Sequence, residues 1–381
     1  MRFQKIQGMV LRYGRWLFLW CASAVLALMS AACADASDGR PDTPPITLEF
    51  IAQIYGPAKP FDGKRSADDL RASCTTWKEP GPPDLASQAW YRAATTLHAV
   101  KYRTIEQHQQ MLMLYEAAAR RGHYLAVKNL TILYSEGALV RGGRFLPEPE
   151  KAQQWIRYGV EREWPGALEW VGTAIREGSA GFIANQQQGL AYLQQAADLG
   201  VPLAQYQLAE MYWDISRQVE KEQALLECAA KGDLSAALHS WAGYRKIDGH
   251  AQEAPRLYQR ATMQGGVKGA QAAYVLYSAF AGDKNDQEEL KLTNDKPRAQ
   301  AYREIKDALD ENMFLRFPRL NEVLPLPPAK MPPWKGIYSA MSPDDAAYYQ
   351  NPPPAEFYIE EVRRAGYMVP DGYLSQPVPE R

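Results

Sequence analysis

Residues 113–137 read Met-Leu-Tyr-Glu-Ala-Ala-Ala-Arg-Arg-Gly-His-Tyr-Leu-Ala-Val-Lys-Asn-Leu-Thr-Ile-Leu-Tyr-Ser-Glu-Gly. Residues 191–212 read Ala-Tyr-Leu-Gln-Gln-Ala-Ala-Asp-Leu-Gly-Val-Pro-Leu-Ala-Gln-Tyr-Gln-Leu-Ala-Glu-Met-Tyr. Gly122, Ala126, Leu130 and Tyr134 fall at the same offsets as Gly200, Ala204, Leu208 and Tyr212. Weaker copies surround Trp164-Pro165-Gly166-Ala167, run from Cys228 through Gly232 and Ala236 to Tyr244, and run from Tyr258 through Ala261, Gly265 and Gly266 to Ala270 and Tyr274. Successive copies start roughly 32–41 residues apart, a period that signals stacked helical hairpins.

The pattern has a physical reading. Ala117-Ala118-Ala119 and Ala196-Ala197 end a helix that must lie close to its partner. Gly122, Gly200 and Gly232 follow, where a left-handed cap is expected. Leu125, Ala126, Leu130, Leu133 and Tyr134 then recur every three or four positions, one buried face of the next helix. A single pair cannot cover that face, so the units must stack. The fold class expected is all-α, a helical-repeat solenoid over residues 85–317.

The flanks differ. Residues 1–15 carry Arg2, Lys5, Arg12 and Arg15 and no acid, and an apolar stretch follows at 16–29. Small residues then lead to Cys33, the order of a secretory signal. The stretch is shorter than the ~20 residues a spanning helix needs. Residues 33–84 read as a leash and an N-terminal cap. Residues 318–381 hold 13 prolines, with a short helix expected at 355–365 before Gly366. Trp334, Ile337, Tyr338, Phe357, Tyr358 and Tyr367 are more apolar than a free tail carries, so this segment is expected to lie across the solenoid's last helices as a cap.

Three resemblances sharpen this reading. Ala-Ala-x-x-Gly, a Tyr-x-x-Gly turn and the block Glu148, Lys151, Ala152, Trp155 resemble the Sel-1-like repeat, a relative of the tetratricopeptide repeat, over residues 104–280. That resemblance implies a solenoid that binds other proteins through its concave face. Met-Ser-Ala-Ala-Cys at 29–33 resembles a bacterial lipoprotein box. It implies removal of residues 1–32 and lipidation of Cys33. Cleavage near Ala34-Asp35-Ala36 is the rival. Ala34 resembles an outer-membrane sorting signal, implying the periplasm and the inner leaflet of the outer membrane. The run from Leu324 to Gly336, Leu-Pro-Leu-Pro-Pro-Ala-Lys-Met-Pro-Pro-Trp-Lys-Gly, resembles the tail of Sel-1-like repeat lipoproteins. Some of these are encoded beside phospholipase effectors of type VI secretion and serve as their periplasmic immunity proteins. The alternative is an envelope scaffold or regulatory adaptor with no toxin partner.

Composition narrows the chemistry. The chain has 381 residues, 46% hydrophobic and 23% charged, near globular averages. Formal net charge is -1, and loss of the four basic residues of the signal takes it to -5, so no positive field points to nucleic acid. No nucleophile elbow, phosphate loop or dinucleotide fingerprint is found. His98, His108, His123, His239 and His250 form no metal-ligand pair, and His123 is expected to face solvent or a helix C-terminus. Neither catalytic residues, a metal nor a cofactor are expected. Asp344-Asp345, Glu288-Glu289 and Glu360-Glu361 read as solvated faces. By repeat phase Tyr206, Trp213, Trp241 and Tyr244 are candidate protein-binding residues, each equally suited to the core. Arg141 and Arg144, in a loop after Tyr134, are candidates to grip an acidic partner. Cys74 and Cys228 either pair in an oxidising compartment or leave Cys228 as a small core residue.

Overall fold

The computed structural model describes residues 44–369, 373–374 and 376–378. Cys33 and the signal-like segment lie outside the described residues. Pro45–Arg381 form one compact unit.

Its centre is a row of five helical hairpins: α4 (Ile105–Arg120) with α5 (Tyr124–Glu136), α6 (Pro149–Glu161) with α7 (Pro165–Glu177), α8 (Gln186–Asp198) with α9 (Pro202–Ser216), α10 (Val219–Lys231) with α11 (Ser235–Ile247), and α12 (Ala254–Gln264) with α13 (Gly266–Ala281). Three short helices are numbered around this row: α1 (Leu48–Tyr55) and α2 (Ala67–Ala72) before it, and α14 (Lys284–Leu290) after it. Helix α3 (Leu85–His98) opens the row and α15 (Lys296–Glu311) closes it. On α5 the buried face is Ala126, Val127, Leu130 and Tyr134, while Leu125 and Leu133 are half-buried. The buried side chains form two pools, one from Ile46 to Leu226 joined by Tyr348, Tyr358 and Val362, the other from Ala229 to Met341, and Tyr206 and Trp241 pack against both.

The turns correct one expectation. Gly122 (φ 91°) and Gly200 (φ 88°) are left-handed, and the helix ends close with His123 N–H on the Ala118 carbonyl (3.1 Å) and Val201 N–H on the Ala196 carbonyl (3.0 Å). At the third turn Asp233 (φ 58°) takes the left-handed place, and Gly232 does not. Gly232 is needed for closeness instead: a Cβ there would overlap Pro202 Cγ.

A second difference is the loop carrying Arg141 and Arg144. Ala138–Val140 (β1) and Gly143–Phe145 (β2) form an antiparallel hairpin, with Leu139 opposite Arg144. It lengthens the connection between α5 and α6.

The flanks bind the row lengthwise. From the N-terminus, Tyr55 Oη donates to the Trp164 carbonyl (2.8 Å), Gln195 Nε2 to the Tyr55 carbonyl (2.9 Å), and Arg65 pairs with Asp198 (2.6 Å). The chain then runs as a strap past the hairpin turns. Cys74 is disulfide-bonded to Cys228. Trp77 N–H donates to the Gly200 carbonyl (2.8 Å), and the Trp77 ring meets Tyr124 edge-on at 5.3 Å. A Cβ at Gly200 would lie 2.6 Å from Trp77 N, so this glycine serves both the turn and the strap.

The proline-rich segment does more than cap the last helices. Its first part does so: Gln259 Nε2 donates to the Leu324 carbonyl (2.7 Å) and Trp334 Nε1 to Glu304 (2.7 Å). It then returns to the first helices through α17 (Pro343–Gln350) and α18 (Ala355–Arg364), numbered after the short α16 (Leu320–Val323). Arg92 of α3 pairs with Asp345 (2.8 Å), Gln110 of α4 donates to Glu356 (3.0 Å), and Arg144 and Val378 exchange backbone hydrogen bonds (2.9 and 2.8 Å). Asp345 is therefore half of a partly buried ion pair. On this return Tyr348, Tyr358 and Val362 join the first buried pool, beside α3 and α4.

Candidate protein-binding surface

Four of the candidate residues lie on α9 and α11. Tyr206, Glu210, Trp213, Asp214 and Arg217 follow one another at helical spacing on α9 and just beyond it. Glu210, Trp213, Asp214 and Arg217 are exposed, and Trp213 keeps 40% of its surface. Tyr206 Oη donates to Glu210 (2.6 Å) and Tyr244 Oη donates to Glu222 (2.6 Å). Trp241 and Tyr244 lie 6.5 Å apart between ring centroids, and the guanidiniums of Arg217 and Arg245 cover Trp213 (4.6 Å) and Trp241 (5.4 Å).

The electrostatics tie these groups together. Burial pushes the Glu222 carboxyl above its ordinary range. The Tyr244 hydroxyl opposes this, the Asp214 and Glu210 carboxylates add to it, and Arg217 offsets part of it. The Tyr206 and Tyr244 hydroxyls are raised first by burial and then by the carboxylates they bond, so both stay protonated donors. The result is a face of mixed charge studded with aromatic rings, where the Glu210, Asp214 and Glu222 carboxyls stand beside the Arg217 and Arg245 guanidiniums. Such rings carry large contact area at low conformational cost, the usual composition of binding anchors. Repeat phase points to the rings and is silent on the acids. The signal for them is the spacing 206, 210, 214 along one helix.

Helix α9 is held in place from behind. Gln207 Nε2 (3.0 Å) and Thr173 Oγ1 (2.9 Å) donate to the buried Glu169. Burial raises the Glu169 carboxyl, with Lys128 the main opposing charge. This network joins α7 to α9 at the residue next to Tyr206.

Arg141 and Arg144 are not part of this face. They lie exposed on the hairpin, whose backbone joins Arg103 on one side and Val378 on the other. The two sets are separate surfaces.

A cleft of about 250 Å³ lies between α3, the strap and α17, lined among others by Gln88, Tyr91, Arg92, His123, Phe314, Asp345 and Tyr349. Several of its polar groups hold one another, Arg92 with Asp345 (2.8 Å) among them. His123, buried rather than solvent-facing, caps α5 with Nδ1 accepting from Ala126 N–H (3.4 Å), meets Gln88 at Nε2 (3.0 Å) and stacks on Tyr91 at 4.3 Å. Burial pushes its imidazole down to about 4. A neutral, capped and stacked histidine is a structural part. Among the described residues no three His, Cys, Asp or Glu side chains group to hold a metal, and no helix is long and apolar enough to cross a membrane.

Residues 272–370 match the family model described as a domain of unknown function, DUF6396. No curated protein matches the sequence. Among solved structures the chain is similar to the Pseudomonas aeruginosa protein PA5086, at 28% identity, covering 73% of this chain and 98% of that one with a TM-score of 0.50. It is similar to the immunity protein Pa5087 of the same organism, at 28% identity, covering 69% and 96% with a TM-score of 0.50. A Sel1 repeat protein from Oxalobacter formigenes aligns at 18% identity over 69% and 99%, with a TM-score of 0.36. The row of helical hairpins makes the chain a solenoid of helical repeats, and its structural neighbours include an immunity protein.

Proposed function

We propose that this chain is a periplasmic immunity protein, held at the envelope by a lipid on Cys33, that binds a type VI secretion effector of phospholipase type and blocks it without making or breaking bonds itself. The observation that carries the reading is the similarity to immunity protein Pa5087 over 96% of that chain. The acidic and aromatic face of α9–α11 supports it. A phospholipase binds a lipid whose headgroup carries an anionic phosphate, and positive charge at its mouth holds that group. The exposed Glu210 and Asp214 carboxylates offer such a mouth the opposite charge, and Tyr206, Trp213 and Tyr244 beside them exclude water from the contact.

The test pairs the purified chain with the effector encoded beside its gene. The expected results are a stable one-to-one complex, loss of lipase activity on adding an equimolar amount, and killing of cells that lack the gene by neighbours carrying the effector. Absence of both binding and protection with that effector overturns the reading.

A further inference from the structure

On the hairpin surface the loop 100–104 runs beside β1: Arg141 N–H donates to the Arg103 carbonyl (2.8 Å), and Thr104 and Arg141 form a parallel bridge. Beyond β2, Val378 adds a further extended segment. Tyr102 and Leu139 project from this edge with 77% and 71% of their surface exposed, more than any other large apolar residues here except Leu85, Ile183 and Ile247. Lys101, Arg141 and Arg144 surround them and are exposed too. Leu139 and Arg144 are cross-strand partners, so they share a face. Lys101, Tyr102, Leu139 and Arg141 border one open recess of about 550 Å³.

We propose that this edge is a second docking surface and that its occupant is an anionic phospholipid bilayer. Two observations choose a membrane over a protein. The composition is that of an interfacial anchor: one aromatic and one aliphatic tip ringed by three cations. The aliphatic tip sits on a two-stranded hairpin, a form that enters a headgroup layer without opening a core. The chain's length outside the body agrees with this. Ten residues, 34–43, separate Cys33 from Pro44. Fully extended they reach about 33–36 Å. A lipid on Cys33 would therefore keep the body close enough to the bilayer for a weak patch to engage. This seating shares the envelope location with the function proposed above, but it needs neither the effector nor the lipid. Seated this way, the hairpin would orient the solenoid on the membrane, leaving the α9–α11 face to other partners.

The test uses the exported chain carrying Cys33→Ser, which cannot be lipidated, with vesicles of phosphatidylethanolamine that hold phosphatidylglycerol as the minor component. Sedimentation is expected to show binding that weakens at least tenfold on Leu139→Ser with Tyr102→Ser, weakens similarly on Arg141→Glu with Arg144→Glu, and is lost in phosphatidylcholine vesicles. All four side chains are exposed, so unchanged melting temperatures are expected to show that folding is intact. No binding to the anionic vesicles, or binding indifferent to both variant pairs, overturns the proposal. Loss of effector inhibition in the same variants with vesicle binding retained also overturns it, because the edge would then face a protein. Failure of the effector experiment with vesicle binding intact leaves this proposal standing and removes only the immunity reading.

Discussion

The hairpin row and the two flanks that tie it are built on opposite principles. In the row each helix packs on its neighbours in sequence, and small residues recur where backbones meet. In the flanks nothing repeats. The N-terminal strap reaches from Cys74 to Cys228, a separation of 154 residues, and the C-terminal return carries Tyr373 to Glu116, 257 residues away. The difference teaches that repeats make the solenoid while the flanks fix its extent. A row stabilised only by nearest neighbours can bend and fray at its ends. Here the last helices and the first are joined by one continuous segment.

The largest effect is expected from opening the strap. Replacing both cysteines by Ala removes a cross-link whose loop-closure contribution is about 4–5 kcal/mol at this loop length. Chemical denaturation should show most of that loss. Proteolysis should reach residues 73–84 of the variant before it reaches α6–α9. A change under about 1 kcal/mol would mean the strap is held without the bond.

Next is Glu116, a buried carboxylate that accepts from Tyr134 Oη (2.8 Å), Tyr373 Oη (3.1 Å) and Trp155 Nε1 (3.3 Å). Burial raises its pKa, and Arg120 is the leading opposing influence. Glu116→Leu leaves those donors without an acceptor and is expected to cost about 3 kcal/mol. Tyr373→Phe loses only the flank's bond and is expected to cost about 1 kcal/mol. Equal costs would contradict the picture of one hub shared between row and return.

Acid offers a graded test. Burial lowers the imidazoles of His98, His108, His123 and His239 to about 4. Their unfolded value is about 6.5, so the unfolded chain takes up protons first. Their contribution is whole above about pH 6.5 and falls as pH drops toward 4. Glu116, Glu169 and Glu222 act the other way, because their raised values make protonation favourable in the fold. The four histidines, each shifted from about 6.5 to about 4, set the sign of the net effect: a lower melting temperature at pH 5 than at pH 7.5. His98 touches Phe314 (4.9 Å between centroids) and His123 lines the cleft beside Tyr349, both where the row's ends meet. Hydrogen exchange at pH 5 should therefore quicken in residues 343–364 more than in α7–α9. The smallest stability effect belongs to the exposed face: Trp213→Ala should change stability by no more than about 0.5 kcal/mol.

How much of this is readable in the sequence follows from the same contrast. The repeat period and the helix expected at 355–365, found at Ala355–Arg364, are legible because helical spacing is a local signal. The hairpin at 138–145 is not: two strands of three residues around Gly142-Gly143 look like any basic loop. The place expected for His123, in solvent or at a helix C-terminus, fails because a residue after a helix-ending glycine can cap the N-terminus of the next helix, and only the short turn decides that. At Gly232 the expected dihedral role gives way to Pro202 pressing from the neighbouring hairpin. The return of residues 343–378 to α3 and α4 rests on pairs such as Thr96 with Tyr348 and Gln110 with Glu356, too far apart along the chain for any periodicity to encode. At the candidate surface the rings are legible by repeat phase, but their grouping with Glu222 requires two helices to meet.

The proposal that matters most is that the chain grips another protein through the α9–α11 face. Isothermal titration of the neighbouring-gene effector into the wild-type chain and into Trp213→Ala with Glu210→Lys tests it most directly. Tight one-to-one binding is expected, weakened at least a hundredfold in the folded variant. Equal affinity in both chains would contradict it.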